Sequence, residues 1–338
     1  MKIIDLEDLD YIYNEDLFYS SNWIKVLKEE YDYKFYSVLR NNINKPILHF
    51  SIIDDIFGTR IISLPFSDYT DPLVKDNDEL MEAASFLRNN FTDMPITLKL
   101  LGEYNELIKI DFINIRKAFC HRIRLNCDID TIWDNTSYSF KKNVKKAERN
   151  NLYVKTINTE EGVEMFFNLL MKLRIDKFKI LPQSDTFYLK LYNYFVKNGY
   201  GNIWFTFLGD KPIGSAFILD SNHAIYDKMG VSHLDYLEYR PNNLLLWEVM
   251  KYGCARDKVY LDLGLSPADN KGLIKFKDTL GGEKTPINYY RYLPSNYDTE
   301  RESKQKKLLS DLTELISNSK ISPDIVKQYS SLLYRFFC

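Results

Sequence analysis

The stretch Tyr239–Gly282, YRPNNLLLWEVMKYGCARDKVYLDLGLSPADNKGLIKFKDTLGG, carries the side chains best suited to chemistry. Asp262 ends a short apolar run, Val259-Tyr260-Leu261, and open α/β sheets place their ligand crevice at such strand ends. A carboxylate there can orient an amine or take its proton, or simply bond the amides of the next loop. Arg240 can grip a carboxylate or phosphate. Lys275 and Lys277 alternate on a strand-like stretch and, by residue type alone, read as solvated. The chemistry open to this set is charge stabilisation and proton transfer. The chain has no G-x-S-x-G elbow, no Cys and His at a spacing that supports pairing, and no metal signature.

Two earlier stretches stand out. Ser63-Leu-Pro-Phe-Ser-Asp-Tyr-Thr-Asp-Pro-Leu73 breaks a strand pattern with two prolines and offers Asp68, Tyr69 and Asp71; a chain-reversing Asx turn is its plain reading. Phe140–Arg149 puts Phe140, Val144 and Ala147 on one helical face and Lys141, Lys142, Lys145, Lys146 and Arg149 on the other. Such a run is usually a solvated face; the sharper reading is a stripe that contacts phosphates.

The elements that must position these groups follow from periodicity. Ser20 or Ser21 caps a helix burying Trp23, Val26, Leu27 and Tyr31. Strands are expected at 35–39, 47–53, 60–64, 96–100, 107–112 and 119–126, with a helix over 78–91. Ser137 or Ser139 starts the basic helix. A strand at 152–156 precedes two helices, one with Val163, Phe166, Phe167, Leu170 and Leu173 inward. A hairpin at 203–219 turns at Gly209-Asp210. Asn242 or Asn243 caps a helix entered through Pro241. The tail, 295–338, reads as two amphipathic helices that dock on the body or touch a membrane surface.

Three motifs in this order resemble the Fem-type (FemABX) aminoacyltransferases and their FemAB-like acyltransferase relatives, over roughly residues 20 to 294. They are the SLPFSDYTDPL stretch, the FKKNVKKAER segment, and the series P-N-x-L-L-L-W-E, D-x-G and G-L-x-x-F-K-x-x-x-G-G. The resemblance implies an α/β (α+β) fold of two tandem GNAT-like halves with mixed sheets, flanking helices and a C-terminal helical tail. The halves are placed at 1–128, on the acceptor side, and 129–294, on the donor and catalytic side, with an extension over 295–338. It also implies direct, non-covalent acyl transfer to an amine on a cell-envelope precursor. Lys277 would then stabilise negative charge on the reacting ester, with Phe276 packed nearby and Asp262 as a second catalytic group. Asp68, Tyr69, Asp71 and Arg240 would bind the acceptor, and Lys141, Lys145, Arg149, Asn242 and Phe276 the donor. The general base stays open among Asp68, Asp71 and Asp262.

No tightly bound cofactor or metal is expected. The donor is aminoacyl-tRNA or acyl-CoA, and the acceptor a nucleotide- or lipid-linked precursor. The loop Ser232–Asn243 has no glycine, unlike a loop whose backbone cradles a pyrophosphate; this weighs against coenzyme A and agrees with the Fem pattern. A binding module that has lost turnover is the reading from another class. With 45% hydrophobic residues, 27% charged residues and net charge −2 over 338 residues, the chain is globular and not broadly basic. Its acidic N-terminus, lack of a long apolar run and four unpatterned cysteines suit a reduced, cytoplasmic protein.

Overall fold

The computed structural model describes residues 1–6, 16–40, 43–319 and 322–338; the acidic run after Leu6 lies outside them. In chain order, the first half holds β1 (Lys2–Asp5), α1 (Ser21–Tyr31), β2 (Lys34–Arg40), β3 (Ile43–Asp55), β4 (Gly58–Ile62), α2 (Asn77–Asn90), β5 (Ile96–Leu101) and β6 (Ile113–Arg124). The second begins with α3 (Ile129–Asn135), α4 (Tyr138–Arg149), β7 (Leu152–Thr156), α5 (Glu160–Lys172) and α6 (Asp185–Tyr194). It continues through β8 (Gly201–Leu208), β9 (Lys211–Asp220), β10 (Ala224–Ser232), α7 (Pro241–Cys254), β11 (Tyr260–Pro267), α8 (Lys271–Asp278) and β12 (Glu283–Tyr292). The tail is α9 (Thr299–Asn318), α10 (Pro323–Leu333) and a terminal 3-10 turn, Tyr334–Phe337.

All described strands join one sheet, ordered β1-β2-β3-β4-β5-β12-β6-β11-β10-β9-β8-β7. The halves exchange their last strands: β6 lies beside β11 of the second half, and β12 beside β5 of the first. Each half contains one parallel pair joined through a helix, β4 with β5 and β10 with β11. Each pair is short. The second runs only from Ala224↔Tyr260 to Tyr226↔Asp262, after which β10 stays with β9 and β11 with β6. A gap therefore opens between β10 and β11 just past Asp262.

Apolar side chains cover both faces. On one, α1, α5 and α6 bury Trp23, Phe166, Phe187 and Tyr188 against Phe217 and Ile287. On the other, α4 and α7 seat Phe140, Val144, Val249 and Met250 on Ile218 and Leu261, while α2 covers Leu98 and Leu100. Each such side chain contributes about 1.5–3 kcal/mol on burial. Ser20 and Ser137 cap α1 and α4 as the sequence suggests, accepting from the amides of Trp23 and Phe140.

Four local expectations are corrected. Residues Asn105–Ile110 form a 3-10 turn where a strand was expected, because Leu107 and Phe112 bury beneath α2 from a tight turn. Neither Asn242 nor Asn243 caps α7: Arg240 holds the cap position in the left-handed region, φ 65°, and Pro241 is the first helical residue. The strand expected to close over Asp262–Gly264 does not, since β11 continues to Pro267 beside β6. Residues 271–278 are helical, with Asn270 Oδ1 accepting from the Leu273 amide at 3.1 Å.

The tail docks on the body. Leu309, Ile316 and Val326 are buried, and the Arg335 guanidinium donates to the Tyr31 carbonyl at 3.2 Å. Leu308, Leu315 and Leu332 remain more than 60% exposed. No described helix is long and apolar enough to cross a membrane.

After α8, Gly281 takes φ 79°, and a Cβ there would collide with the Asn135 carbonyl oxygen. Gly281→Ala is therefore expected to lower stability by about 2–4 kcal/mol, read as a shifted urea midpoint at unchanged slope.

Candidate functional site

The parted strands create an electrostatic problem whose solution forms the site. Once β10 leaves, the backbone of Leu263, Gly264 and Leu265 has lost its partner strand on that side. Buried carbonyls and amides must be satisfied some other way. Lys277, on α8, turns its buried ammonium into the gap and donates to the carbonyls of Leu263 at 2.6 Å, Gly264 at 3.1 Å and Leu265 at 3.4 Å. Two aspartates serve the amides: Asp262 Oδ1 accepts from Gly264 N and Asp68 Oδ2 from Leu265 N, both at 2.8 Å. Gly264 itself has φ 65°, and a Cβ would stand 2.5 Å from Asp68 Oδ2 and 2.9 Å from the Tyr226 hydroxyl. Burial pushes the Lys277 ammonium below the usual lysine range, against the pull of Asp227 and Asp68.

Asp68 and Tyr69 arrive from the other half on the Ser63–Leu73 loop. That loop fills the matching gap between β4 and β5: the Thr70 amide bonds the Lys99 carbonyl at 2.6 Å, and the Leu101 amide reaches Thr70 O at 3.3 Å. Leu64 and Phe66 take positive φ, 49° and 57°, to make the path. Tyr226 donates its hydroxyl to Asp68, and Lys228 stands 3.9 Å from Asp68 while bonding Phe66 O at 3.1 Å. Burial pushes the Asp68 carboxyl up, but Lys228, Tyr226 and the Leu265 amide together hold it below the usual carboxylate range.

Tyr69 donates to buried Asp262, whose Oδ2 also accepts from Arg122 Nε at 3.0 Å and whose Oδ1 accepts from the Cys120 thiol at 3.2 Å. Arg122 Nη2 donates to Tyr69 Oη at 2.9 Å, and its guanidinium lies 4.7 Å from the Tyr260 ring centre. Asp71 is looser, 3.8 Å from Arg122 and 39% exposed. Burial raises its carboxyl above the usual range, with Arg122 opposing and Asp262 adding to it. Asp16 accepts from the Phe18 amide at 2.9 Å, and burial lifts it to about 6.

Lys277, Asp262, Asp68, Tyr69 and Asp71 thus meet at one gap. The other named residues do not join them. Phe276 packs into the opposite core. Asn242 accepts from Ser232 Oγ at 2.6 Å, pinning the start of α7 to the end of β10. Arg240 is exposed at that helix start, with no side-chain hydrogen bond or ion pair among the described residues. Lys141, Lys145 and Arg149 line a surface groove of ≈ 750 Å³ along α4 with Tyr138, Lys142 and Glu148; Lys141 is partly tied to Asp134 at 3.6 Å. His121 is buried with Nε2 3.0 Å from Asp278.

Arg122, Tyr226 and Lys228 escaped the sequence reading. A signal existed for Arg122: Ala118, Cys120 and Arg122 share one face of a strand whose first two members are fully buried. For Tyr226 and Lys228 the alternation of β10 was visible, but its facing partner comes from the other half.

Comparisons with known proteins bear on the fold that carries this gap. Residues 134–272 match the family model described as an acetyltransferase (GNAT) domain. Among solved structures the chain is similar to FemX, with TM-score 0.64 at 12% identity over 87% of this chain and 97% of that one. It is also similar to L-PGS from Bacillus licheniformis, with TM-score 0.54 at 12% identity over 88% and 96% of the two chains. A third likeness is to the C-terminal domain (DUF2156) of a putative lysylphosphatidylglycerol synthetase from Agrobacterium fabrum, with TM-score 0.53 at 9% identity over 84% and 90%. No curated protein matches the sequence. The Fem-type resemblance is borne out, and the sheet is that of two tandem GNAT-like halves with a C-terminal helical tail.

Asp227, at a bulge in β10, has a buried Oδ1 without a hydrogen-bond partner among the described residues, and burial raises its carboxyl to about 6 despite Lys277. The native state then holds this proton more tightly than the unfolded chain does. Stability contributed by the protonated form is present below pH ~4 and is lost as pH rises through about 6. Asp227→Asn should melt above the parent at pH 7.5 and show no such gain at pH 4, read from thermal midpoints across that range.

Proposed function

We propose that the protein is an acyltransferase that joins an acyl group to an amine on a cell-envelope precursor by direct transfer, with aminoacyl-tRNA as donor and a peptidoglycan-peptide amine as acceptor. The observation that carries this is the opened β10–β11 gap, held by Lys277 and faced by carboxylates from both halves. Such a gap aligns two reactants without a covalent enzyme intermediate, and alignment can supply about 7–11 kcal/mol of a barrier. FemX as a fold neighbour and the GNAT domain match support the reaction class.

Roles follow from how fully each group is engaged. Asp262 accepts from Tyr69, Arg122, Cys120 and the Gly264 amide, so both of its oxygens are engaged within the fold. Asp68 accepts from Tyr226 and Leu265 and is held ionised. Asp71 has only the long contact to Arg122, partial exposure and a raised carboxyl, so it is the best suited general base. Lys277 holds the Leu263–Leu265 backbone, and its 3.4 Å contact to Leu265 is long enough for that N–H to turn toward a developing oxyanion.

The donor assignment rests on two further features. α7 begins with Pro241, which has no amide to offer a pyrophosphate, and Arg240 occupies its cap. The α4 groove presents Lys142, Lys145 and Arg149 to solvent, as a nucleic-acid backbone requires. The match to an acetyltransferase domain favours a second reading, acyl-CoA-dependent acylation of an amino sugar or other surface-glycan precursor.

The protein is incubated with charged total tRNA or acetyl-CoA and a pool of nucleotide-linked muropeptides and amino sugars, and product masses are read. An aminoacyl increment only with charged tRNA is expected; an acetyl increment only with acetyl-CoA would move the protein to the second reading, and no increment with either would favour a binding module. Asp71→Asn should lower turnover by about 10²–10⁴-fold and remove the acid-side fall of the rate, because the base works only deprotonated. Lys277→Ala should abolish turnover; unchanged turnover in that variant would overturn its role.

A further inference from the structure

A second cavity, of ≈ 800 Å³, lies over β4, β5, β12 and the start of β6, roofed by α9 and the chain's last residues. Its floor is the ring of Tyr289. Two cations flank that ring: Lys99 Nζ at 5.9 Å and Arg116 Cζ at 5.3 Å from its centre. Lys99 is 9% exposed, and its ammonium makes no hydrogen bond or ion pair among the described residues. Burial accordingly pushes it below the usual lysine range. Arg116 is likewise without an ion pair among the described residues. Arg291, on the same wall, keeps a buried Nε with no hydrogen-bond partner among the described residues although its Nη2 bonds Glu302.

Of the other lining cations, Lys179 is exposed at the rim, and two are paired. Arg60 is paired with Asp55 at 2.5 Å, and Lys306 with Glu302 at 2.7 Å. Lys99 and Arg116 therefore stand beside one aromatic ring without a direct ion pair among the described residues, Lys99 feeling Cys338 and Asp68 only at longer range. A buried ammonium needs acceptors, and neither glutamate of the cavity pairs with it: Glu302 is taken by Arg291 and Lys306, and Glu314 is exposed on α9. Phe57, Ile62, Leu309, Phe336 and Phe337 line the rest, so the space joins a cationic floor to apolar walls. Its volume falls within the usual range for small-molecule sites, about 300–1,000 Å³.

We propose that this cavity binds a small organic phosphate, with the dianionic phosphoryl group between Lys99, Arg116 and the Arg291 Nε–H, and the apolar body of the ligand against Tyr289 and the terminal phenylalanines. Two cations without a direct ion-pair partner among the described residues match a phosphoryl dianion better than a carboxylate. The assignment stands apart from the acyl-transfer reading, since it uses none of the residues at the β10–β11 gap.

The test is calorimetric titration of the full chain, in phosphate-free buffer without any acyl donor, using phenyl phosphate, hexyl phosphate, inorganic phosphate and benzoate. Phenyl or hexyl phosphate should bind about tenfold or more tightly than inorganic phosphate or benzoate, and whichever binds better identifies an aryl or an alkyl body. Lys99→Met and Arg116→Gln should each weaken that binding by about tenfold or more. Arg116 is exposed, so its variant tests the site even if the buried Lys99 change impairs folding. Failure of both organic phosphates to bind at millimolar concentration, inorganic phosphate or benzoate binding as tightly, or an Arg116→Gln variant that binds unchanged would overturn the proposal.

Discussion

One ammonium group holds the centre of this molecule together. Where β10 leaves β11, three successive carbonyls lose their neighbour strand, and Lys277 supplies donors to all three. An unpaired buried backbone group costs about 1–3 kcal/mol, so the gap without this lysine would close or admit water. Because Lys277 sits on α8, the helix must dock with Phe276 turned into one core and the ammonium into the gap. The geometry of Asp262 and Gly264 then follows from the bulge that this contact stabilises.

The first half solves the same problem differently. Its parallel pair also parts early, but a loop instead of a lysine occupies the opening, through Thr70 and the backbone of β5. The loop's two left-handed residues, Leu64 and Phe66, are conformations that L side chains adopt at a cost, and they persist where surroundings over-determine them. What they accomplish is visible across the interface. Asp68 and Tyr69 are carried out of the first gap and into the second, where they meet Leu265, Tyr226 and Asp262. The exchange of β6 and β12 keeps the two gaps in register. It also brings Arg122, from the last strand of the first half, onto Asp262. The site is a property of the joined sheet, not of either half.

The residues that line the gap divide by how many bonds they already make. Asp262 is engaged through both oxygens and Asp68 through Oδ2, and both serve as scaffolding for charge, whereas Asp71 has one long ion-pair contact among the described residues. The same criterion, applied away from the gap, isolates Lys99, Arg116 and Arg291 Nε as cationic groups without hydrogen-bond acceptors among the described residues. Side chains in these two places answer to the same physics: a buried polar group either finds its partner in the fold or waits for one from outside.

By itself the sequence determined the helix and strand periods, the serine caps of α1 and α4, the apolar faces, and the order of motifs that places the chain with the Fem-type fold. These are local: a cap needs only the amide three residues on, and a face needs only its period. Tertiary structure alone decided which of the named residues meet. Lys277 looked solvated by alternation because a strand was assumed; as part of a helix it is buried. Asp262 and Tyr69 are 193 positions apart in the chain, and no local pattern records their contact. Arg240, Asn242 and the α4 stripe have suitable chemistry, but the fold sets them at the end of α7 and on an outer surface. Side-chain type and period are written residue by residue, whereas convergence depends on two gaps in one sheet, formed only when both halves pair.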